Sequence, residues 1–119
     1  MAIHLKQKNR KLMANNEIFT LDNESNFRMI VRRTQESVST ELDGETVILD
    51  IASGIYSGLD PVGTYIWNKL EQPLSVGFLH DAVLSQYDVI EEKCTADLLN
   101  FLKDLADNGL IVIADETSD

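Results

Sequence analysis

The chain has 119 residues, 44% of them hydrophobic, which supports one domain with a modest core and leaves little room for a second. Its net charge of −10 is unevenly placed: residues 1–35 hold seven Lys/Arg against three Asp/Glu, and residues 36–119 hold three against seventeen. A body this acidic disfavours nucleic acid and would attract a basic peptide or protein surface, with solubility as the plainer reading of the same charge.

No run approaches the roughly 20 continuous apolar residues of a membrane span. The amino terminus shows no apolar signal-peptide core, so a cytoplasmic protein without a membrane partner is expected. Cys94 is the only cysteine, which excludes an internal disulfide and a cysteine-based metal site.

Residues 1–30 read as a flexible basic arm without a sustained period, with a short ordered piece around residues 18–21. Phe27-Arg28-Met29-Ile30-Val31 carries β character and opens the folded domain, expected over residues 31–114. Residues 37–42 alternate with a period of two, Asp43-Gly44 supplies a primed two-residue turn, and residues 46–51 form the return strand. Ser53-Gly54 turns the chain again into a short strand, Ile55-Tyr56-Ser57, which completes a three-stranded meander. Either Ile55 and Ser57 or Tyr56 points inward.

Asp60 is placed to cap a first helix with Pro61 at its first position. Val62, Ile66 and Leu70 form its apolar stripe, with Tyr65 beside them and Trp67 on the flank, while Gly63 permits close packing. Pro73 stops that helix and Ser75 caps a second, whose buried face holds Val76, Leu79, Val83 and Tyr87 while His80 and Asp81 look outward. A third helix is predicted over residues 91–108, with Leu98, Phe101, Leu102 and Leu105 on its apolar stripe and Asp97, Asn100, Lys103 and Asp104 on the wet side. Phe101 sits where the two faces meet, the place for the floor of a groove. Asn108-Gly109 followed by Leu110 reads as a left-handed carboxyl cap. Residues 110–113 add a strand or pack as a tail, and residues 115–119 form an acidic, frayed end. The resulting fold class is α+β, winged-helix-like, with a three-stranded antiparallel sheet followed by a three-helix bundle.

Catalytic constellations are missing. His4 and His80 are the only histidines, and there is no G-x-S-x-G, glycine-rich phosphate loop or Cys-x-x-Cys. Glu91, Glu92 and Asp97 oppose ionisation of Cys94, so its thiol reads as structural. The carboxylates spread over helix faces as a solvated surface does. No catalytic residue, cofactor or metal is assigned, and the chain is read as a non-enzyme. The strand at residues 55–57, if it lies at a sheet edge, is free to pair with another chain.

The run L-D-G-E-T-V-I-L-D-I-A-S-G-I-Y-S-G-L-D-P-V-G-T-Y-I-W at 42–67 resembles the family of the pyrroloquinoline-quinone biosynthesis protein D. Q-Y-D-V at 86–89, D-L-L-N-F-L-K-D-L at 97–105 and N-G-L-I at 108–111 continue the resemblance in order. Residues 1–36 lie outside it. The resemblance implies a domain that binds the leader segment of a ribosomally synthesised precursor peptide as an added strand and presents it to an enzyme. That enzyme is a radical enzyme in the quinone pathway and a leader-cleaving cysteine protease in lasso-peptide pathways. The wording S-G-I-Y-S-G-L and G-T-Y-I-W resembles stand-alone members of lasso-type clusters. Carried onto this sequence, the accepting strand is Gly54, Ile55, Tyr56, Ser57, Gly58 and Leu59. The groove wall is the third-helix face near Asp97, Leu98, Phe101, Leu102 and Leu105. Two other classes stand beside this one: a winged-helix DNA-binding regulator, and a scaffold subunit of a biosynthetic enzyme. A free edge strand is also compatible with either a monomer or a weak homodimer.

Overall fold

The computed structural model describes Ile3, residues 5–7 and residues 18–114. The acidic end at 115–119 and much of the basic arm lie outside the described residues. The elements run β1 (Leu5–Gln7), α1 (Asn23–Arg28), β2 (Ile30–Arg33), β3 (Ser37–Leu42), β4 (Glu45–Asp50) and β5 (Ile55–Leu59). They continue with α2 (Pro61–Lys69), β6 (Leu74–Ser75), α3 (Val76–Gln86), α4 (Glu91–Asp107) and β7 (Ile111–Ala114).

An α+β architecture of antiparallel sheets results, but its plan is richer than one three-stranded sheet followed by three helices. The meander β3–β4–β5 gains β1 as a fourth strand, in the order β1-β5-β4-β3. A second sheet, ordered β6-β2-β7, joins segments far apart in sequence. In it Val31 pairs with Ile113 on one side and with Leu74 on the other. Residues 110–113, left between strand and tail by the sequence, thus contribute to a strand. Helix α1 also occupies part of the stretch read as arm and opening strand. Asp22 caps it through Glu24 N–H, and the buried Asn26 amide exchanges hydrogen bonds with both backbone groups of Thr20.

Local signals account for the element ends. Asp43 and Gly44 both take positive φ, 55° and 79°, which matches the right-handed twist of the β3–β4 hairpin. The Asp60 carboxylate accepts from Gly63 N–H at 2.8 Å, and Ser75 Oγ accepts from Phe78 N–H at 3.0 Å. Helix α4 ends in a Schellman motif: Gly109 at φ 75° donates to Ala106 C=O, and Leu110 donates to Leu105 C=O.

The core lies where the helices meet both sheets. Ile48 and Leu59 enter it from the first sheet, Val31 and Ile111 from the second, and Ile66, Trp67, Leu79, Leu98 and Leu102 from the helices. Each such side chain contributes on the order of 1.5–3 kcal/mol by leaving water. Trp67, on the flank of the α2 stripe, is part of the core, with Arg33 stacked over its ring at 4.1 Å and donating to its carbonyl. His80, expected outward, is buried too. Its Nε2 lies 2.8 Å from Thr95 Oγ1 and its ring 4.7 Å from that of Phe27, so it joins α1, α3 and α4. Positions 76, 79, 80 and 83 share one helical stripe, so the spacing was informative and the polar side chain misleading.

Candidate functional site

Strand β5 combines a fixed inner face with an exposed outer one. Its register on β4 pairs Ile55 with Asp50, Tyr56 with Leu49, Ser57 with Ile48, Gly58 with Val47 and Leu59 with Thr46. Ser57 and Leu59 are buried, Ile55 and Gly58 are half-buried, and Tyr56 is 52% exposed. The alternative left open at Tyr56 is thereby decided: Ser57 faces in and Tyr56 faces out. Gly54, at φ 72°, makes the turn that lets the strand begin. Downstream, a buried hydroxyl pair at 2.8 Å, Thr46 to Thr64, ties β4 to α2 just past the end of β5.

The strand lies at the edge of the meander but not of the sheet. Segment β1 pairs with it antiparallel, placing Leu5 opposite Leu59, Lys6 opposite Gly58 and Gln7 opposite Ser57. Helix α4 packs against β1, and Ile3 packs against the core. Among the described residues, the β1 register runs from Leu59 to Ser57. Among the described residues, β3 forms the other edge of this sheet.

The residues expected as a groove wall on α4 are mostly core. Leu98, Phe101, Leu102 and Leu105 are buried with β1 in place, and only Asp97 is partly accessible, paired with Lys93 at 3.2 Å. Phe101 reaches the start of α2: a Cβ added at Gly63 would lie 3.2 Å from its Cζ and 3.3 Å from Leu59 Cβ. Gly63 is therefore a position of close approach between β5, α2 and α4, as its place in the first helical turn suggested. Along the outer flank of α4, a shallow groove of about 530 Å³ is lined by residues 18–21 and by Ala96, Leu99, Asn100 and Lys103.

Sequence reading missed the occupant of the β5 edge, although Ile3-His4-Leu5-Lys6 alternates with a period of two. Four residues are too short a run to stand out from an irregular basic segment.

The chemical groups near α4 are committed to structure. Burial, with Asp97 and Glu91 nearby, raises the pKa of the Cys94 thiol and keeps it protonated at neutral pH. Among the described residues no group of His, Cys, Asp and Glu is placed to hold a metal ion. None of the described helices is long and apolar enough to cross a membrane.

Residues 45–111 match the family model for coenzyme PQQ synthesis protein D, PqqD. The chain is also similar to TbiB1, solved in complex with the TbiA(beta) leader peptide, at 35% identity and a TM-score of 0.64. That alignment covers 67% of this chain and 93% of TbiB1. A lasso peptide synthetase B1 complexed with its leader peptide shares the fold at 24% identity and a TM-score of 0.60, over 69% of this chain and 96% of that one. No curated protein matches the chain. The family match spans β4 to the start of β7 and so takes in both the β5 edge and α4: this chain is a member of the PqqD family.

Proposed function

We propose that this chain is a non-catalytic recognition domain for the leader segment of a ribosomally synthesised precursor peptide. The leader adds as an antiparallel strand along residues 54–59 and lies against α4 near Asp97, Leu98, Phe101, Leu102 and Leu105. The domain then presents the rest of the precursor to a modifying or leader-cleaving enzyme, a cysteine protease in a lasso-type setting. The observation that carries this reading is the β5 edge itself, which accepts an antiparallel strand from outside the meander and beside α4. TbiB1, 35% identical, is a leader-peptide complex. Backbone pairing supplies affinity with little sequence demand, and pockets for alternate side chains supply selectivity.

In this reading residues 31–114 form a winged-helix-like recognition domain in the cytoplasm, residues 1–30 an arm and residues 115–119 a tail. A DNA-binding role would need a basic helix. Both lysines of α4 are already paired with carboxylates, Lys93 with Asp97 at 3.2 Å and Lys103 with Asp107 at 3.0 Å.

Calorimetric titration of the purified chain with the leader of the precursor encoded beside its gene tests the proposal. Saturable one-to-one binding without any enzyme present is expected, which also separates recognition from mere scaffolding. An absence of heat up to about 50 μM, equivalent to less than roughly 6 kcal/mol of binding, would sink it.

A further inference from the structure

We infer that the chain carries its own competitor for this edge: β1 is a resident strand that must leave before a leader peptide can pair with Ser57, Gly58 and Leu59. The inference rests on the peptide-binding reading of β5 and adds a regulatory step to it.

Three observations converge. Backbone groups on one side of a strand can complete only one ladder, and those of β5 facing away from β4 are opposed by Leu5, Lys6 and Gln7. The contact is also more than a ladder, because Ile3 packs on the core and β1 packs on α4, filling the space a leader would take. Finally, residues 1–16 hold four Lys/Arg and no Asp/Glu, whereas residues 36–119 have a net charge of −14, so the body attracts the arm.

The same geometry provides a way out. The described part of the resident strand is three residues long, against five in β5. A leader that pairs along all five residues of β5 can displace β1 residue by residue. The arm thus sets a threshold: weak, short or poorly fitting peptides do not repay its removal, and a full leader does. Because the competitor is tethered, the threshold is independent of protein concentration. Because attraction between basic arm and acidic body contributes to it, added salt lowers it.

The test uses the full chain carrying Leu5→Pro together with Lys6→Pro. Successive strand residues direct their N–H groups to opposite sides, so one of the two prolines removes a donor to β5 whichever way the strand is phased. Both sites lie outside the family-matched region. The probe is the fluorescein-labelled leader of the neighbouring precursor. If the arm leaves about one-tenth of the wild-type molecules open, the double variant binds about tenfold more tightly. Amide exchange without leader should show β5 losing protection in the variant while β4 keeps it.

A second variant guards against misfolding. Lys6→Cys with Gly58→Cys, a directly opposed pair, can lock the arm as a disulfide. Its oxidised form should bind leader at least about tenfold more weakly than its own reduced form. Leader affinities equal within twofold for wild type and proline variant, or for the oxidised and reduced lock, would overturn the inference and leave the proposed function standing. No leader binding by wild type, proline variant or reduced lock would instead overturn the proposed function and this inference together.

Discussion

Replacing Phe101 with Ala distinguishes a core ring from the floor of an open groove, and its magnitude follows from the packing. The side chain is 2% exposed and belongs to the same buried cluster as Leu98, Leu102 and Leu105. Removing an enclosed phenyl ring costs about 3–5 kcal/mol, from a total stability on the order of 5–15 kcal/mol. With a urea slope of about 1.5 kcal/mol per molar, the midpoint should fall by about 2–3 M. The ring tip also lies against Gly63, where an added methyl would meet Phe101 Cζ at 3.2 Å and Leu59 Cβ and Asp60 Oδ1 at 3.3 Å. Gly63→Ala in the wild type should therefore cost about 1 kcal/mol of overpacking, more than the helix propensity gained in a first turn. In the Phe101→Ala background the same methyl enters the vacated space, and its effect should turn stabilising. Urea unfolding followed by circular dichroism gives all four corners of this cycle, with an expected coupling of at least about 1 kcal/mol. A cost below about 1 kcal/mol for Phe101→Ala, or additivity within about 0.3 kcal/mol, would refute the placement of the ring between α2 and α4.

Tyr56→Ala is the cleaner probe of the binding edge, because the exposed ring can be removed at a stability cost below about 1 kcal/mol. Leader affinity should fall by about 0.5–1 kcal/mol as a cross-strand neighbour is lost, and an unchanged dissociation constant would move the peptide away from this strand. Arg33→Lys should cost about 1–2 kcal/mol, since lysine keeps the charge but loses the planar stacking over Trp67. Fluorescence of the sole tryptophan during thermal unfolding reports it, and an unaltered midpoint would deny the clamp. Cys94, buried and with a raised pKa, should react with iodoacetamide at pH 8 at least about a hundredfold more slowly in the native chain than in urea. Comparable rates would place the thiol at the surface.

The parts of the fold that could be read from sequence are those whose causes are local. The Asp43-Gly44 turn sets the hairpin, Asp60-Pro61 opens α2, and Gly109 with Leu110 closes α4, each through groups only a few residues apart. The second sheet was illegible because β6 has two residues and β2 finds β7 across most of the chain; such pairing is a tertiary choice with no sequence period of its own. Helix α1 was missed for a related reason. It is six residues long, and its surroundings depend on Asn26 binding Thr20 and on Phe27 reaching Gly77 and His80. At the candidate site, strand β5 was visible in the glycine-bounded run at 54–59, whereas the burial of Phe101 was not. An apolar residue at the border of a helical stripe is assigned to core or groove only by what lies opposite, here Gly63.

Amide hydrogen exchange of the Leu5→Pro/Lys6→Pro chain, with and without saturating leader, tests the central claim most directly. Four-stranded order leaves two edges for an added strand, β5 once the arm is displaced and β3 on the far side. Leader should restore protection to the outward-facing amides within residues 55–59 and leave β3 unchanged. Protection gained along Ser37–Leu42 instead, or none in the sheet while the leader is bound, would contradict the assignment of β5 as the strand that receives the peptide.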